Sequence, residues 1–341
     1  MLVNSPARTY TGRTGTDQAW QVKWTRETGG PLLSPPMLMD GLLVVTCGST
    51  AHLIDATTGG HERSLALRGT AESAPVPWDD RLWWALRDGG LNGYDLRGLT
   101  DETHLELDGD PGRHSPVTVN DLLLIGTTHG LFWFQHPRTT DSRAAHRLIW
   151  LDEPVVSPLA TDGVQVWVPT ERRGLMAVRP ATGEIRSPHQ AWDAAGCTPT
   201  PTTDGVYIGD ALGTVHHLDP EGTSRRQWDA STFPITAPPV TYGDLLLVTD
   251  HAGAVIALSM EQWDQKWRAV TDGDGRRAVT ALDGVVYVCG ARSVRRLDAR
   301  TGRELKPLTP DGPRPMNVTA TPGRLHVSFV DGLLNTWGPP G

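Results

Sequence analysis

Four residues are candidates for acid–base chemistry: His129, His251, Asp210 and Asp250. An imidazole titrates near neutral pH, and a carboxylate close to it can orient the ring or exchange a proton with it. Together they could form a site for a ligand, a metal ion or proton transfer. Their spacing along the chain does not decide whether they meet in space, so a second interpretation stays open.

The second interpretation is a polar rim that keeps surface loops hydrated. Charged residues fall in segments that connect strands, where binding residues tend to collect in any fold. A binding face built from such segments would carry Arg87, Glu171, Arg172, Arg173, Arg292, Asp331, His114, Arg276 and Arg277.

Familiar catalytic motifs are missing from the sequence. His61-Glu62 begins like a zinc-protease motif, but Leu65 stands where the second histidine is needed. Asp108-Gly-Asp110 and Asp272-Gly-Asp274 could offer oxygen ligands to calcium, although neither continues into a loop that ends in a bidentate Glu. We expect solvated turns there, and no metal or cofactor.

Composition and charge limit the partners and the compartment. The formal net charge of -8 gives no electrostatic signature of a nucleic-acid or anionic-membrane partner. Cys47, Cys197 and Cys289 form a sparse, odd set that suits a reducing compartment. Because the sequence also shows neither an apolar signal segment at its start nor a membrane-spanning run, we expect a cytosolic protein.

One unit recurs along the chain at intervals of about 40 residues. It begins with a turn, continues with a β-branched and aliphatic run, and closes after a second such run. A unit of this kind is one four-stranded blade, so the sequence predicts an all-β, eight-bladed β-propeller. The opening turns are Asp40-Gly41, Asp80-Arg81, Asn120-Asp121, Asp162-Gly163, Asp204-Gly205, Gly243-Asp244, Asp283-Gly284 and Pro322-Gly323.

Individual strands can be predicted within the units. Val164–Val168 and Val285–Cys289 are second strands, and Val294–Asp298 is a third strand. A small residue followed by proline, as at Ser34-Pro35, marks the first residues of an inner strand, where a missing N–H breaks no ladder. His216-His217 alternate in direction along a strand, so at most one of them can join a site.

The two ends of the chain are predicted to share the last blade. Asn317–Ala320, Leu325–Phe329 and Leu333–Trp337 supply three strands and leave the outer position vacant. The segment around Trp20–Trp24 is strand-like and has no unit of its own. Pairing the two closes the ring and covers a sheet edge. We therefore expect one propeller domain over residues 17–341, after a tail over residues 1–16.

Several third strands lead into a pattern that resembles the quinoprotein-like (PQQ-like) propeller repeat, A-x-D-x-x-T-G-x-x-x-W. Trp-Asp dipeptides occupy different places in different units, which disfavours a WD40 assignment. The resemblance implies docking tryptophans on outer strands at Trp24, Trp150, Trp192, Trp228 and Trp267. The matching turns are Asp55–Gly59, Ala181–Gly183 and Asp298–Gly302, and Ala257 with Trp267 matches the ends of the motif.

Two groups of relatives suggest different functions. Quinoprotein alcohol dehydrogenases hold PQQ with a vicinal cysteine pair that this chain does not have, so we expect no PQQ. The lipoprotein of the outer-membrane barrel-assembly machinery uses its ring as a docking scaffold, although its lipobox is missing here. The resemblance thus favours a bacterial, cytosolic protein-interaction scaffold. The alternative is a small-molecule enzyme or binder of lyase or cyclase type, with His129 or His251 as base at the mouth of the ring.

Overall fold

The computed structural model describes residues 20–98, 100, 102–112, 114–135, 151, 153–186 and 197–340, and the backbone of residues 145–149. These residues form 32 strands in eight four-stranded sheets. Each sheet is one blade, and the predicted all-β, eight-bladed propeller is confirmed. The described residues include no helix long and apolar enough to cross a bilayer.

Blades 1 to 4 follow one another along the chain, each ordered from the inner to the outer strand. Blade 1 contains β2 (Met37–Met39), β3 (Leu42–Cys47), β4 (Thr50–Asp55) and β5 (His61–Ala66). Blade 2 contains β6 (Val76–Trp78), β7 (Arg81–Leu86), β8 (Gly90–Asp95) and β9 (Glu102–Glu106). Blade 3 contains β10 (Val117–Val119), β11 (Leu122–Thr127), β12 (Gly130–Gln135) and β13 (Ala145–Ile149). Blade 4 contains β14 (Ala160–Thr161), β15 (Val166–Thr170), β16 (Gly174–Arg179) and β17 (Glu184–Arg186).

Blades 5 to 8 repeat this order, and the last one takes its outer strand from the start of the chain. Blade 5 contains β18 (Thr200–Thr202), β19 (Gly205–Gly209), β20 (Thr214–Leu218) and β21 (Ser224–Asp229). Blade 6 contains β22 (Val240–Tyr242), β23 (Leu245–Thr249), β24 (Ala254–Ser259) and β25 (Gln265–Val270). Blade 7 contains β26 (Thr280–Leu282), β27 (Val285–Cys289), β28 (Val294–Asp298) and β29 (Glu304–Leu305). Blade 8 contains β30 (Pro315–Thr321), β31 (Arg324–Phe329), β32 (Leu333–Gly338) and β1 (Gln21–Glu27).

The predicted closure of the ring is confirmed by the pairing of β1 with β32. The pair is antiparallel, and its register runs from Gln21 opposite Gly338 to Glu27 opposite Leu333. A bulge interrupts it between Val22 and Trp24. The N-terminal strand thereby covers the outer edge of β32, which would otherwise offer unpaired backbone groups to another chain.

The core lies between the blades. Buried side chains form eight apolar clusters, and each of them joins two neighbouring blades. One cluster joins Leu334 of blade 8 to Leu43 and Val45 of blade 1, and all three are fully buried. Because apolar burial stabilises by about 25 cal/mol per Å², every blade interface contributes, including the one that closes the ring.

Outer-strand tryptophans join neighbouring blades as the repeat pattern implies. Trp267 of blade 6 donates its indole N–H to the carbonyl of Ala299 in blade 7 at 2.9 Å. A methyl group on Gly302 would lie 2.6 Å from the Trp267 ring, so this turn needs glycine. Trp24 makes the same arrangement with Ala56 and Gly59 of blade 1.

Of the other three predicted docking tryptophans, the structure describes one. Trp228 is half-buried against the cluster between blades 5 and 6. Trp150 and Trp192 lie outside the described residues, as does the predicted tail over residues 1–16.

Strand boundaries differ from the prediction at several places. The inner strands that follow a small residue and proline begin one or two residues after that proline, as at Val117 after Pro116, whereas β30 opens on Pro315 itself. The second strand of blade 4 begins at Val166 instead of Val164. Here the Asp162 carboxylate accepts the Val164 and Gln165 N–H groups at 2.9 Å, which keeps both out of the sheet.

Candidate functional site

The predicted site residues lie in two kinds of connection that open onto the same face. Hairpins between second and third strands alternate there with crossovers from an outer strand to the next inner strand. We call this side the loop-bearing face, and the opposite side the turn face. Of the four acid–base candidates, His129 lies on blade 3, Asp210 on blade 5, and Asp250 and His251 on blade 6. Blade 4 therefore separates His129 from Asp210, whereas blades 5 and 6, which carry Asp210, Asp250 and His251, are adjacent.

Asp210 is buried at the end of β19 and holds its own hairpin together. One carboxylate oxygen accepts the N–H groups of Leu212 and Thr214, both at 2.9 Å. The other lies 2.8 Å from Nε2 of His216. Burial raises the pKa of Asp210, but the hydrogen bonds from His216 and from the Thr214 and Leu212 N–H groups outweigh it, so the pKa lies below its ordinary value.

Asp250 occupies the same position in blade 6 and is fully buried. One oxygen accepts the N–H groups of Ala252 and Ala254, at 3.0 and 2.9 Å. The other accepts the Ser231 hydroxyl at 2.7 Å and Nη2 of Arg268 at 2.9 Å. Like Asp210, this carboxylate has its bonding capacity filled by the protein itself, which leaves little of it for a substrate.

The two candidate histidines are exposed and bonded to different groups. Nδ1 of His129 lies 3.0 Å from the Asp108 carboxylate of the preceding crossover. His251 accepts a hydrogen bond on Nε2 from Nε of Arg276, at 2.9 Å. Blades 4 and 5 stand between the two hairpins, so these histidines belong to separate surroundings.

Crossovers and hairpins of the loop-bearing face are tied together by ion pairs. Arg87 bonds Glu72 at 3.2 Å across blade 2. In blade 4 the side chain of Glu153 is only 2% exposed and accepts the N–H groups of Arg172 and Arg173, at 2.7 and 3.2 Å. Glu153 was not among the predicted residues. Nothing in the sequence around Glu153 distinguishes it from an exposed acidic residue in a loop.

The remaining residues of the predicted binding face vary in burial. Burial lowers the pKa of His114, a half-buried residue. Arg292 and Glu171 are exposed, and the Asp331 carboxylate accepts the Leu333 N–H of its own hairpin at 3.1 Å.

Arg277 links three parts of the ring through Asn317 of blade 8. Its Nη1 lies 3.3 Å from the Asn317 side-chain oxygen. The Asn317 amide in turn donates to the carbonyls of Leu32 and Leu33, at 3.5 and 3.4 Å, in the crossover into blade 1. Asn317 was also missed from the sequence, since its role depends on blades that meet only in the closed ring.

The Asp-Gly-Asp turns engage cationic or imidazole side chains. Asp272 pairs with Arg295 at 3.0 Å, and Asp274 pairs with Arg314. Burial raises the pKa of Asp274, but the Arg276 N–H and the Arg314 charge outweigh it, so the pKa lies below its usual value. Within the described residues no cluster of three or more His, Cys, Asp or Glu side chains could hold a metal ion.

His216 and His217 point to opposite sides of β20, as their alternation predicts. His216 meets Asp210, whereas the His217 ring stacks on Tyr207 with centroids 4.4 Å apart. Burial lowers the pKa of His217. Both rings are thus packed parts of blade 5.

Exposed apolar side chains on the loop-bearing face form the last feature of the site. Leu212 is 70% exposed in the blade 5 hairpin, and Phe233 is 47% exposed in the crossover to blade 6. Val330 in the blade 8 hairpin is also exposed. Their exposure could not be expected from the sequence, because a buried and an exposed Leu or Phe between two strands look the same there.

Comparisons with known proteins agree with the fold. Residues 211–307 match the sequence model of a PQQ-like repeat family described as outer membrane protein assembly factor BamB. No curated protein sequence matches the chain. BamB from Moraxella catarrhalis is similar in structure, with 14% identity, a TM-score of 0.74, and coverage of 94% of this chain and 99% of that one.

Two further solved structures share the architecture. Saccharomyces cerevisiae Sqt1 has 11% identity and a TM-score of 0.72, with 95% of this chain and 100% of that chain covered. The computationally designed Ika8 protein has 15% identity and a TM-score of 0.70, with 92% and 97% covered. At these identities the likeness concerns the fold: the chain is an eight-bladed β-propeller similar in architecture to BamB, and residues 211–307 resemble the repeat family of that name.

Proposed function

We propose that the chain is a protein-interaction scaffold whose loop-bearing face is the contact surface. The observation that carries this proposal is that, on this face, the candidate acidic groups are buried while apolar side chains are exposed. The carboxylates of Asp210 and Asp250 are buried and occupied in holding hairpins. Leu212 and Phe233 project into solvent beside them, and Val330 does so in the blade 8 hairpin of the same face. Exposed apolar side chains that lie close together, as Leu212 and Phe233 do, are typical of protein contact sites.

The ring itself suits such a role. Each blade packs on both neighbours through a buried cluster, so loops on one face keep a fixed arrangement. A preorganised surface loses less conformational entropy when it binds. The family name attached to residues 211–307 describes an assembly factor, which is consistent with function through protein contacts.

The proposal places the scaffold in the cytosol. Its support is chemical: Cys47, Cys197 and Cys289 are all unpaired thiols. Burial raises the pKa of Cys197 and of Cys289 to about 12, so both thiols stay protonated and unreactive. Fractionation of the source cells, with detection by antibody, tests the location. Recovery with the membranes or the medium contradicts it.

Affinity capture from a lysate of the source organism tests the contact surface. The wild type is compared with Leu212→Glu/Val330→Glu on the loop-bearing face and with Val164→Glu on the turn face, where Val164 is 65% exposed. We expect a stoichiometric partner that the loop-face variant loses and the turn-face variant keeps. Equal recovery with all three proteins contradicts the proposal.

A binding or catalytic site for a small molecule is the competing function, and the separation of His129 from His251 gives it less support. Thermal shift with candidate metabolites examines it directly. A shift that His129→Ala/His251→Ala abolishes, while partner capture is unchanged, favours the small-molecule function over the scaffold.

A further inference from the structure

Leu212 and Phe233 belong to one continuous stretch of surface. The hairpin of Leu212 lies against the crossover of Phe233, because the Ser231 N–H donates to the Gly213 carbonyl at 3.1 Å. A methyl group on Gly213 would lie 2.8 Å from the Phe233 carbonyl oxygen. The two exposed side chains therefore stand on backbone segments in direct contact.

The surface continues from Phe233 to Arg276. The His251 N–H donates to the carbonyl of Pro234 at 2.8 Å, which places the blade 6 hairpin beside the crossover. The His251 ring then accepts from Nε of Arg276 at 2.9 Å. Leu212, Phe233 and Arg276 are thus connected by an unbroken chain of contacts, and we call these three residues the apolar–arginine patch.

Internal bonds hold Phe233 in its exposed position. Its N–H donates to the Ser231 hydroxyl at 3.2 Å, and that hydroxyl is held by Asp250. Two residues later Ile235 is fully buried, and its N–H donates to the Asp210 carbonyl at 2.9 Å. Because Ile235 fills the space below the crossover, Phe233 has no core position to enter. Its exposure follows from the architecture, at the usual cost of hydrated apolar surface.

Arg276 supplies a positive charge that is not paired with a carboxylate among the ion pairs of the described residues. Three neighbouring acids have cationic partners, since Asp250 pairs with Arg268, Asp272 with Arg295 and Asp274 with Arg314. A fourth acid, Asp229 beside the Leu212 hairpin, accepts the Thr214 hydroxyl at 3.0 Å. Across the described part of the chain, the Arg276 side chain has a single hydrogen-bond partner, His251. That bond uses Nε, so the Nη groups remain able to donate to a planar acceptor.

We propose that the apolar–arginine patch binds a segment of a partner protein that carries an aromatic or aliphatic side chain beside a carboxylate. This inference rests on the proposed scaffold function and adds the chemistry of the partner. Leu212 and Phe233 take the apolar side chain, and Arg276 takes the carboxylate. Aromatic, aliphatic and arginine side chains of this kind commonly anchor protein interfaces.

Fluorescence anisotropy with three labelled 12-residue peptides tests the chemistry. In the acidic probe Leu and Phe alternate with Glu; in the basic probe Lys replaces every Glu; in the polar probe Ser replaces every Leu and Phe. The wild-type chain should bind the acidic probe at least about tenfold more tightly than the other two. Failure to bind the acidic probe, or equal binding of all three, overturns the inference.

Variants assign the binding to the patch. Leu212→Ser/Phe233→Ser and Arg276→Glu should each weaken binding of the acidic probe by about tenfold or more. Arg276→Glu should also gain affinity for the basic probe, an effect that misfolding cannot produce. The matched controls Val164→Ser and Arg300→Glu place the same changes on exposed residues of the turn face and should bind as the wild type does. Equal losses in the controls overturn the assignment.

Failure of this inference can be told apart from failure of the scaffold proposal. Loss of the captured partner by Leu212→Ser/Phe233→Ser, with normal capture by Arg276→Glu, keeps the scaffold and rejects the acidic partner. Capture unaffected by any loop-face variant rejects both.

Discussion

His326 makes the stability of the closing blade depend on pH. It lies in β31, fully buried, with its ring nitrogens 2.9 Å from the Thr321 hydroxyl and 2.7 Å from the Thr336 hydroxyl. The ring of Trp24 from the N-terminal strand lies 6.3 Å away. Burial, with a smaller contribution from the Arg324 charge, lowers the pKa of His326 to about 4.

The expected effect follows from proton linkage. A histidine titrates near 6.5 in the unfolded chain, whereas His326 in the fold accepts a proton only near pH 4. The unfolded state therefore binds more protons between these values, and the free energy of unfolding falls as the pH drops below 6.5. At 1.36 kcal/mol per pKa unit, the loss between pH 7.5 and pH 5 is about 2 kcal/mol.

Equilibrium urea unfolding at pH 7.5 and pH 5 measures this loss. His326→Gln keeps a polar side chain that cannot be protonated, so it should lose about 2 kcal/mol less than the wild type over that interval. The quantity to compare is the change in the free energy of unfolding between the two pH values, because the substitution also changes stability at each single pH. His251→Gln, at an exposed histidine of the blade 6 hairpin, controls for the loss of an imidazole and should keep the wild-type dependence.

Parallel loss of stability in the wild type and His326→Gln would refute the reasoning. An NMR titration of the His326 ring gives a second check. An apparent pKa near 6.5 in the folded protein would show that the ring is hydrated and that burial does not govern it.

Three further substitutions test how the blades are held. Trp267→Phe removes the hydrogen bond to Ala299 and should cost about 1–3 kcal/mol, measured by thermal unfolding under circular dichroism. Gly59→Ala places a methyl group against Trp24 at a φ of 73° and should cost a similar amount, whereas unchanged stability would contradict the close packing. Asp250→Asn leaves its arginine partner unpaired and should cost about 1–3 kcal/mol by urea unfolding, while no loss would show that the carboxylate is dispensable.

The fold could be predicted from the sequence because its determinants are local and repeated. Val285–Cys289 and Val294–Asp298 have the same limits in the prediction and in the structure. Their β-propensity and their flanking turns both act within a few residues. The boundary in blade 4 could not be predicted, because it depends on whether the Asp162 carboxylate or the sheet receives two N–H groups.

The site depended on contacts that no short segment encodes. Asp210 and Asp250 look like solvated hairpin acids in the sequence, and only the crossover that folds over each hairpin makes them buried. Phe233 looks like a core residue, yet Ile235 occupies the core position beside it. The adjacent blade decides which of these two apolar residues is buried. The hydrophobic periodicity of the sequence carries no information about that choice.

Closure of the ring by β1 and β32 also determines how the molecule responds to force. Gln21 and Gly338 face each other at the turn-face end of this pair. Tension applied through the two ends pulls these residues directly apart, so the hydrogen bonds break one after another instead of sharing the load. We expect the pairing of β1 with β32 to break at low force, and the other seven blades to stay folded until it has broken. Gln21 and Gly338 both lie at the turn face, opposite the surface proposed to hold a partner.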